Sequence, residues 1–201
     1  SVPAVDPKRY YSVQMVDGNT FNYGYIGSRA TGHEAGSYLV AGPGWQGETP
    51  AAIKQGFRAT TQFGLTIFRT QLLNPDDMPN VVAVQAGYQV QPLSAFLGQP
   101  APPAPPAVEF PKITAEMVKT NFWQYLDFAL QFAPAGPEEV AIRERLARIG
   151  VGAGKTFDFS ELSDEEKVEI GLGMKEGERK VEEAVATIGT DQNGWKVGAA
   201  F

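Results

Sequence analysis

Arg9-Tyr-Tyr-Ser-Val-Gln-Met-Val-Asp-Gly-Asn-Thr-Phe-Asn-Tyr-Gly-Tyr-Ile26 decides the reading of the first half of the chain. Tyr11, Val13 and Met15 alternate with Ser12 and Gln14, the period of two that a half-buried strand imposes on its side chains. Asp17-Gly18-Asn19 follows as a turn signal, and the aromatic run Thr20–Ile26 reads as the returning strand. Working outward, Ser37–Ala41, Phe57–Thr60 and the alternating Phe63–Arg69 are further short strands, parted by Gly/Pro clusters. Short strands with turn signals at roughly 8–12-residue spacing predict a β-sandwich or barrel. One helix interrupts: Asn74-Pro-Asp-Asp supplies a cap and early acids, and Val81–Ala86 continues it.

The second half reads as helical. Thr114 caps a segment whose Val118, Phe122, Tyr125, Leu126, Ala129 and Ala133 share one face, and Pro134 stops it. Pro137 opens a second helix, with Glu138 and Glu139 at its positive end; Ile142, Leu146 and Ile149 form its stripe and Gly150 ends it. Ser163-Asp-Glu-Glu166 is a capping box for a third helix running to Gly189. Its Ile170, Met174, Val181, Val185 and Ile188 make a stripe that two shorter helices cannot cover, so the helix is expected to present apolar surface. Between the halves lies Gln99–Pro111, six prolines in thirteen residues. It is expected to be extended, as a semi-rigid linker or as a docking peptide for an aromatic groove.

Composition removes several activities. Of the 201 residues none is cysteine, which excludes disulfides, thiolate metal sites and a cysteine nucleophile; His33 is the one histidine. The net charge is −6, all of it in residues 99–201, and no basic stripe exists, so nucleic-acid binding is not expected. No apolar run approaches the ~18 residues of a transmembrane helix. Gly150-Val-Gly-Ala-Gly-Lys-Thr156 lacks phosphate-loop spacing and stands after a helix instead of a strand, so it reads as a glycine-rich connection. Asp76-Asp77 reads as helix-start acids, since no calcium-loop ligand series surrounds it. Arg29 and Arg69 are forks for a carboxylate or phosphate, or partners for Asp17 or Asp76. Trp45, in the dense turn Gly42–Pro50, is a stacking platform or a plug for one end of the core. No metal or cofactor site is expected.

Val2-Pro, Tyr10-Tyr-Ser-Val-Gln-Met, Tyr25-Ile-Gly-Ser-Arg-Ala-Thr-Gly32, Tyr38-Leu-Val-Ala-Gly-Pro-Gly-Trp45, Gly47-Glu-Thr-Pro50, Arg69-Thr70, Asp77-Met-Pro and Pro92-Leu-Ser94, in that order, resemble the bacterial family called domain of unknown function 1254. The resemblance implies an α+β multidomain protein. An immunoglobulin-like antiparallel β-sandwich (1–98, its N-terminal part missing) comes first. A Pro-rich linker (99–112) leads to a helical domain (113–190), and residues 191–201 open a missing C-terminal jelly-roll domain. The family's common export signals imply a periplasmic or secreted setting. The leading functional expectation is a non-catalytic interaction or scaffold part of a larger envelope-associated protein. Its expected partners are the missing jelly roll or, by self-association, a second copy. The alternative is an enzyme or small-molecule binder with a pocket at the sandwich's loop end. That pocket would be lined by Tyr25, Arg29, Thr31, His33, Trp45 and Arg69.

Overall fold

The computed structural model describes residues 1–198; the end of the expected jelly-roll entry, residues 199–201, lies outside the described residues. Strands β1 (Tyr11–Asp17), β2 (Asn22–Gly27) and β5 (Gly64–Thr70) form an antiparallel sheet in the order β2-β1-β5. Tyr11, Val13 and Met15 of β1 are buried as the alternation predicts, and Ser12 on the other face is buried as well, so that face is not fully open at the start of the strand. Register sets their neighbours on the same face, Ile26 and Phe68 beside Val13, Gly24 and Thr66 beside Met15. The Asp17 carboxylate organises the β1–β2 turn, accepting from the N–H groups of Asn19 at 3.0 Å and Phe21 at 2.9 Å and from the Thr60 hydroxyl.

Strands β3 (Tyr38–Ala41) and β4 (Gln55–Arg58) pair separately and in parallel. An all-antiparallel arrangement is therefore corrected. The long irregular connection, residues 42–54, carries the chain back to the starting end before β4 begins, as a parallel pair requires. Phe57 of β4 joins Val13, Met15 and Ile26 in one core, so the pair faces the sheet. Gly24 is there because nothing larger fits: a Cβ would stand 2.4 Å from the Phe57 ring and 2.8 Å from Met15 Cε.

Asn74 caps a 3-10 turn (Pro75–Asp77) through its side chain, and α1 (Met78–Ala86) follows. A short α2 (Leu93–Phe96) packs on Leu39 and Ile53. Residues 99–111 carry no helix or strand, as their prolines dictate. Helix α3 (Ala115–Leu130) starts at Thr114, whose hydroxyl accepts from Met117 N–H at 3.2 Å. Asn121 breaks its helical geometry (φ −115°, ψ 23°), so the expected stripe is split: Leu130 is buried, Val118 and Phe122 are exposed. Phe128 and Phe132 meet Phe110 and Phe63 with ring centroids 4.3–5.9 Å apart, tying α3 to the start of β5. Helix α4 (Val140–Ala147) begins past a turn at Pro137 and ends before Gly150, whose φ of +82° closes it.

By Cα proximity the chain divides into Ser1–Phe157 and Asp158–Phe201, so α3 and α4 group with the strands. In the second unit, Ser163 and Glu166 form the expected reciprocal cap of α5 (Asp164–Thr187). A hairpin follows, β6 (Thr190–Gln192) and β7 (Trp195–Val197), turning at Asn193-Gly194 with both residues at positive φ. Val181 and Val185 of α5 are 64% and 62% exposed, and Ile170 and Met174 are half-buried. Arg179 bridges Glu176 and Glu183, an exposed ladder contributing a few tenths of a kcal/mol per pair. Among the described residues no helix is long and apolar enough to cross a membrane.

Candidate functional site

A cleft of about 400 Å³ lies between the two strand layers of the first unit. Val13 and Met15 of β1 and Thr66 and Phe68 of β5 form one wall, Leu39 and Val40 of β3 the other. The segment Gln89–Leu93 lines it as well, contributing amide side chains and Pro92. No Asp, Glu, Lys, Arg or His side chain lines it. With no charged side chain in its lining, the cleft suits uncharged, largely apolar matter.

None of the six residues singled out in the sequence lines this cleft. Tyr25 and Arg69 stand on the opposite face of the β2-β1-β5 sheet, beside Gln14 and Ser12; Arg69 Nη1 donates to Gln14 Oε1 at 2.6 Å. Arg29 lies 5.5 Å from the centre of the Tyr10 ring, with neither Asp17 nor Asp76 as partner. Thr31 Oγ1 accepts from Gly27 N–H at 3.0 Å. His33 packs edge-on to Tyr11, centroids 6.1 Å apart, with its Nδ1 buried and unpartnered. Trp45 packs on the Leu39–Ile53 cluster, and Arg58 stacks on it at 5.1 Å while donating to its carbonyl at 2.7 Å. Only Thr31 and His33 share a turn, the one Tyr11 closes by donating its hydroxyl to Gly32 O at 3.0 Å.

The strongest buried electrostatics were not legible. Arg9 and Asp77, 7% and 8% exposed, form a two-pronged pair with both contacts at 2.6 Å. Asp77 also accepts from Leu73 N–H at 3.1 Å and Asn80 Nδ2 at 3.0 Å, so it is more than a helix-start acid. The Arg9 hydrogen bonds, aided by those from Leu73 and Asn80, hold its carboxyl well below the usual range. A folded-state pKa below the unfolded value, about 3.9, gives stability that is present above that value and lost as pH falls below it. We expect thermal stability to drop below about pH 4 and Asp77→Asn to flatten that drop, as measured by melting curves from pH 5 to pH 2.

The glycine-rich connection has its own clamp. Asp127 of α3 accepts from Gly152 N–H at 2.8 Å and Phe157 N–H at 3.3 Å. One turn on, Gln131 donates to Gly152 O at 2.8 Å and accepts from Gly154 N–H at 2.9 Å. A carboxylate and an amide at i and i+4 beside the stripe of α3 were the signal for this. Asp127→Ala leaves two N–H groups unpaired and is expected to cost about 2–3 kcal/mol, read by denaturant unfolding, with Asp127→Asn intermediate.

Residues 1–92 match the family model described as "Protein of unknown function (DUF1254)", so the resemblance read in the motifs from Val2 onward holds over that span. The crystal structure of the VPA0106 protein from Vibrio parahaemolyticus is similar, with a TM-score of 0.75 and 23% identity. The likeness covers 94% of this chain and 45% of that one, and at this identity it is a likeness of fold. The chain thus spans under half the length of that relative. No curated protein matches.

Proposed function

We propose that this chain is a non-catalytic interaction or scaffold part of a larger, envelope-associated protein, with residues 1–98 forming an immunoglobulin-like sandwich that further polypeptide completes. One observation carries the reading. Several of the charged and polar side chains are engaged in the fold (Arg9 with Asp77, Asp17 with its turn, Asp127 and Gln131 with the glycine loop), while apolar side chains stand uncovered. Leu65 and Phe68 of β5 are 57% and 40% exposed, and each such side chain contributes about 1.5–3 kcal/mol when fully covered. A relative more than twice as long supports covering polypeptide in the same protein, the jelly roll being the proposed source. Hydroxyl-radical footprinting tests this: Leu65, Phe68, Val181 and Val185 should be oxidised in the isolated chain and protected in the protein within its cell. Fractionation should place that protein in the envelope. Equal oxidation in both settings, or a cytoplasmic location, would overturn the proposal.

The second reading, a small-molecule binder or enzyme, draws on the cleft of about 400 Å³ and moves the pocket from the loop end to the space between the strand layers. Saturable turnover of an uncharged substrate, abolished by Val40→Lys, would favour it over the first.

A further inference from the structure

We infer that the free edge of β5 is a strand acceptor, and that its occupant is an extended, uncharged peptide segment with apolar side chains at alternate positions. This rests on the interaction reading above and names the surface and the chemistry of the partner.

The argument starts from hydrogen-bond alternation. Gln71 N–H donates to Tyr10 O at 2.9 Å, and the register continues as Ser12↔Arg69, Gln14↔Ile67 and Val16↔Leu65. In an antiparallel ladder every second pair exchanges main-chain bonds, so Leu65, Ile67 and Arg69 face β1 with their N–H and C=O groups. On the other side of β1, Ser28 N–H donates to Tyr11 O, so the odd-numbered residues of β1 serve β2 and the even-numbered ones serve β5. The main-chain groups of Gly64, Thr66, Phe68 and Thr70 therefore point away from the sheet. Among the described residues none of them has a hydrogen-bond partner, and β5 ends the strand order.

Side-chain alternation then fixes what fits. Thr66 and Phe68, whose main-chain groups are free, are also the β5 residues lining the cleft. A strand added at this edge would pair with them, and its residues opposite Thr66 and Phe68 would project on the same face, continuing the Met15–Thr66 and Val13–Phe68 rows over the cleft. That cleft carries no charged side chain, so those residues must be apolar and uncharged. The intervening residues would lie beside Leu65 and Ile67 on the outer face. A small molecule could fill the cleft but leaves the row of unpaired donors and acceptors unmet. A strand meets both, as strand addition to a sheet edge does generally.

The test is calorimetric titration of the 201-residue chain with an acetylated peptide of seven alternating valines and threonines, made soluble by a lysine pair at one end. Binding should be one-to-one and saturable, with a Kd of about 100 µM or tighter. The same peptide N-methylated at alternate residues, which removes its donors, should bind about tenfold more weakly; lysines in place of the valines should do the same. On the protein side, Thr66→Pro removes an outward N–H without touching the β1 ladder and should weaken binding as much. The N-methylated peptide keeps the test decisive if that variant fails to fold. Absence of saturable binding, or equal affinity for the N-methylated peptide, overturns the strand acceptor. Footprinting protection of Leu65 and Phe68 in the cell alongside a negative titration also overturns it, while leaving the interaction reading intact.

Discussion

Asp77→Ala is expected to lower the melting temperature by about 10 °C or more. The substitution leaves the Arg9 guanidinium buried without its paired carboxylate, because its other acceptor, Gln71 O at 2.5 Å, is neutral. It also strips acceptors from Leu73 N–H and Asn80 Nδ2, which join the end of β5 to α1. Removing one partner of a buried pair is far more damaging than replacing both by apolar groups of similar volume. Arg9→Met with Asp77→Leu should therefore recover much of the loss. Calorimetric melting of the two single variants and the double variant decides the matter. A shift of only a degree or two for Asp77→Ala would mean that Arg9 finds water or another acceptor, and the pair would lose its structural role.

Gly27→Ala is expected to destabilise by about 3 kcal/mol through backbone geometry alone. Gly27 has φ +131°, a region closed to side-chain-bearing residues, and a Cβ there would meet Tyr11 O at 2.3 Å and Ser12 Cα at 2.8 Å. Those neighbours are main chain of the central strand and cannot swing aside. The Gly27 carbonyl also accepts from Ala30, Thr31 and Gly32 N–H groups at 2.9–3.1 Å, so shifting it loosens the whole turn. Gly44→Ala is the control: no atom lies within 4 Å of the Cβ it would gain, and its effect should be within about 0.5 kcal/mol. Equal unfolding free energies for the two variants would contradict the argument.

What was legible in the sequence is what local periodicity and end chemistry carry. The alternation of Tyr11–Met15, the Asp-Gly-Asn turn, the Thr114 cap and the Ser163 box each act within a few residues and appear where read. Strand direction was not legible, since a four-residue strand such as Tyr38–Ala41 has the same pattern whether its neighbour runs with it or against it. The Arg9–Asp77 pair joins residues far apart in sequence, and neither position is distinguished by spacing. The cleft is a property of what two layers leave between them, so no run of residues announces it. The six residues first singled out were chosen for their chemistry, and the fold places them in separate local contacts.

The aromatic contact of Phe110 with Phe63 and Phe128 alters the mechanical meaning of the proline-rich tract. A tract attached at one end is a tether, and cutting it frees whatever it carries. Here α2 is seated on Leu39 and Ile53 at one end, and at the other Phe110, 67% exposed, lies against the Phe63 and Phe128 rings, so the tract is a strap held at both ends. Cleavage at a protease site inserted at Ala104 should yield two fragments that elute together under native conditions and part in denaturant. The chain would then behave as a self-complementing pair, held by the phenylalanine stack and by the Gln62–Phe132 main-chain bond of 2.8 Å.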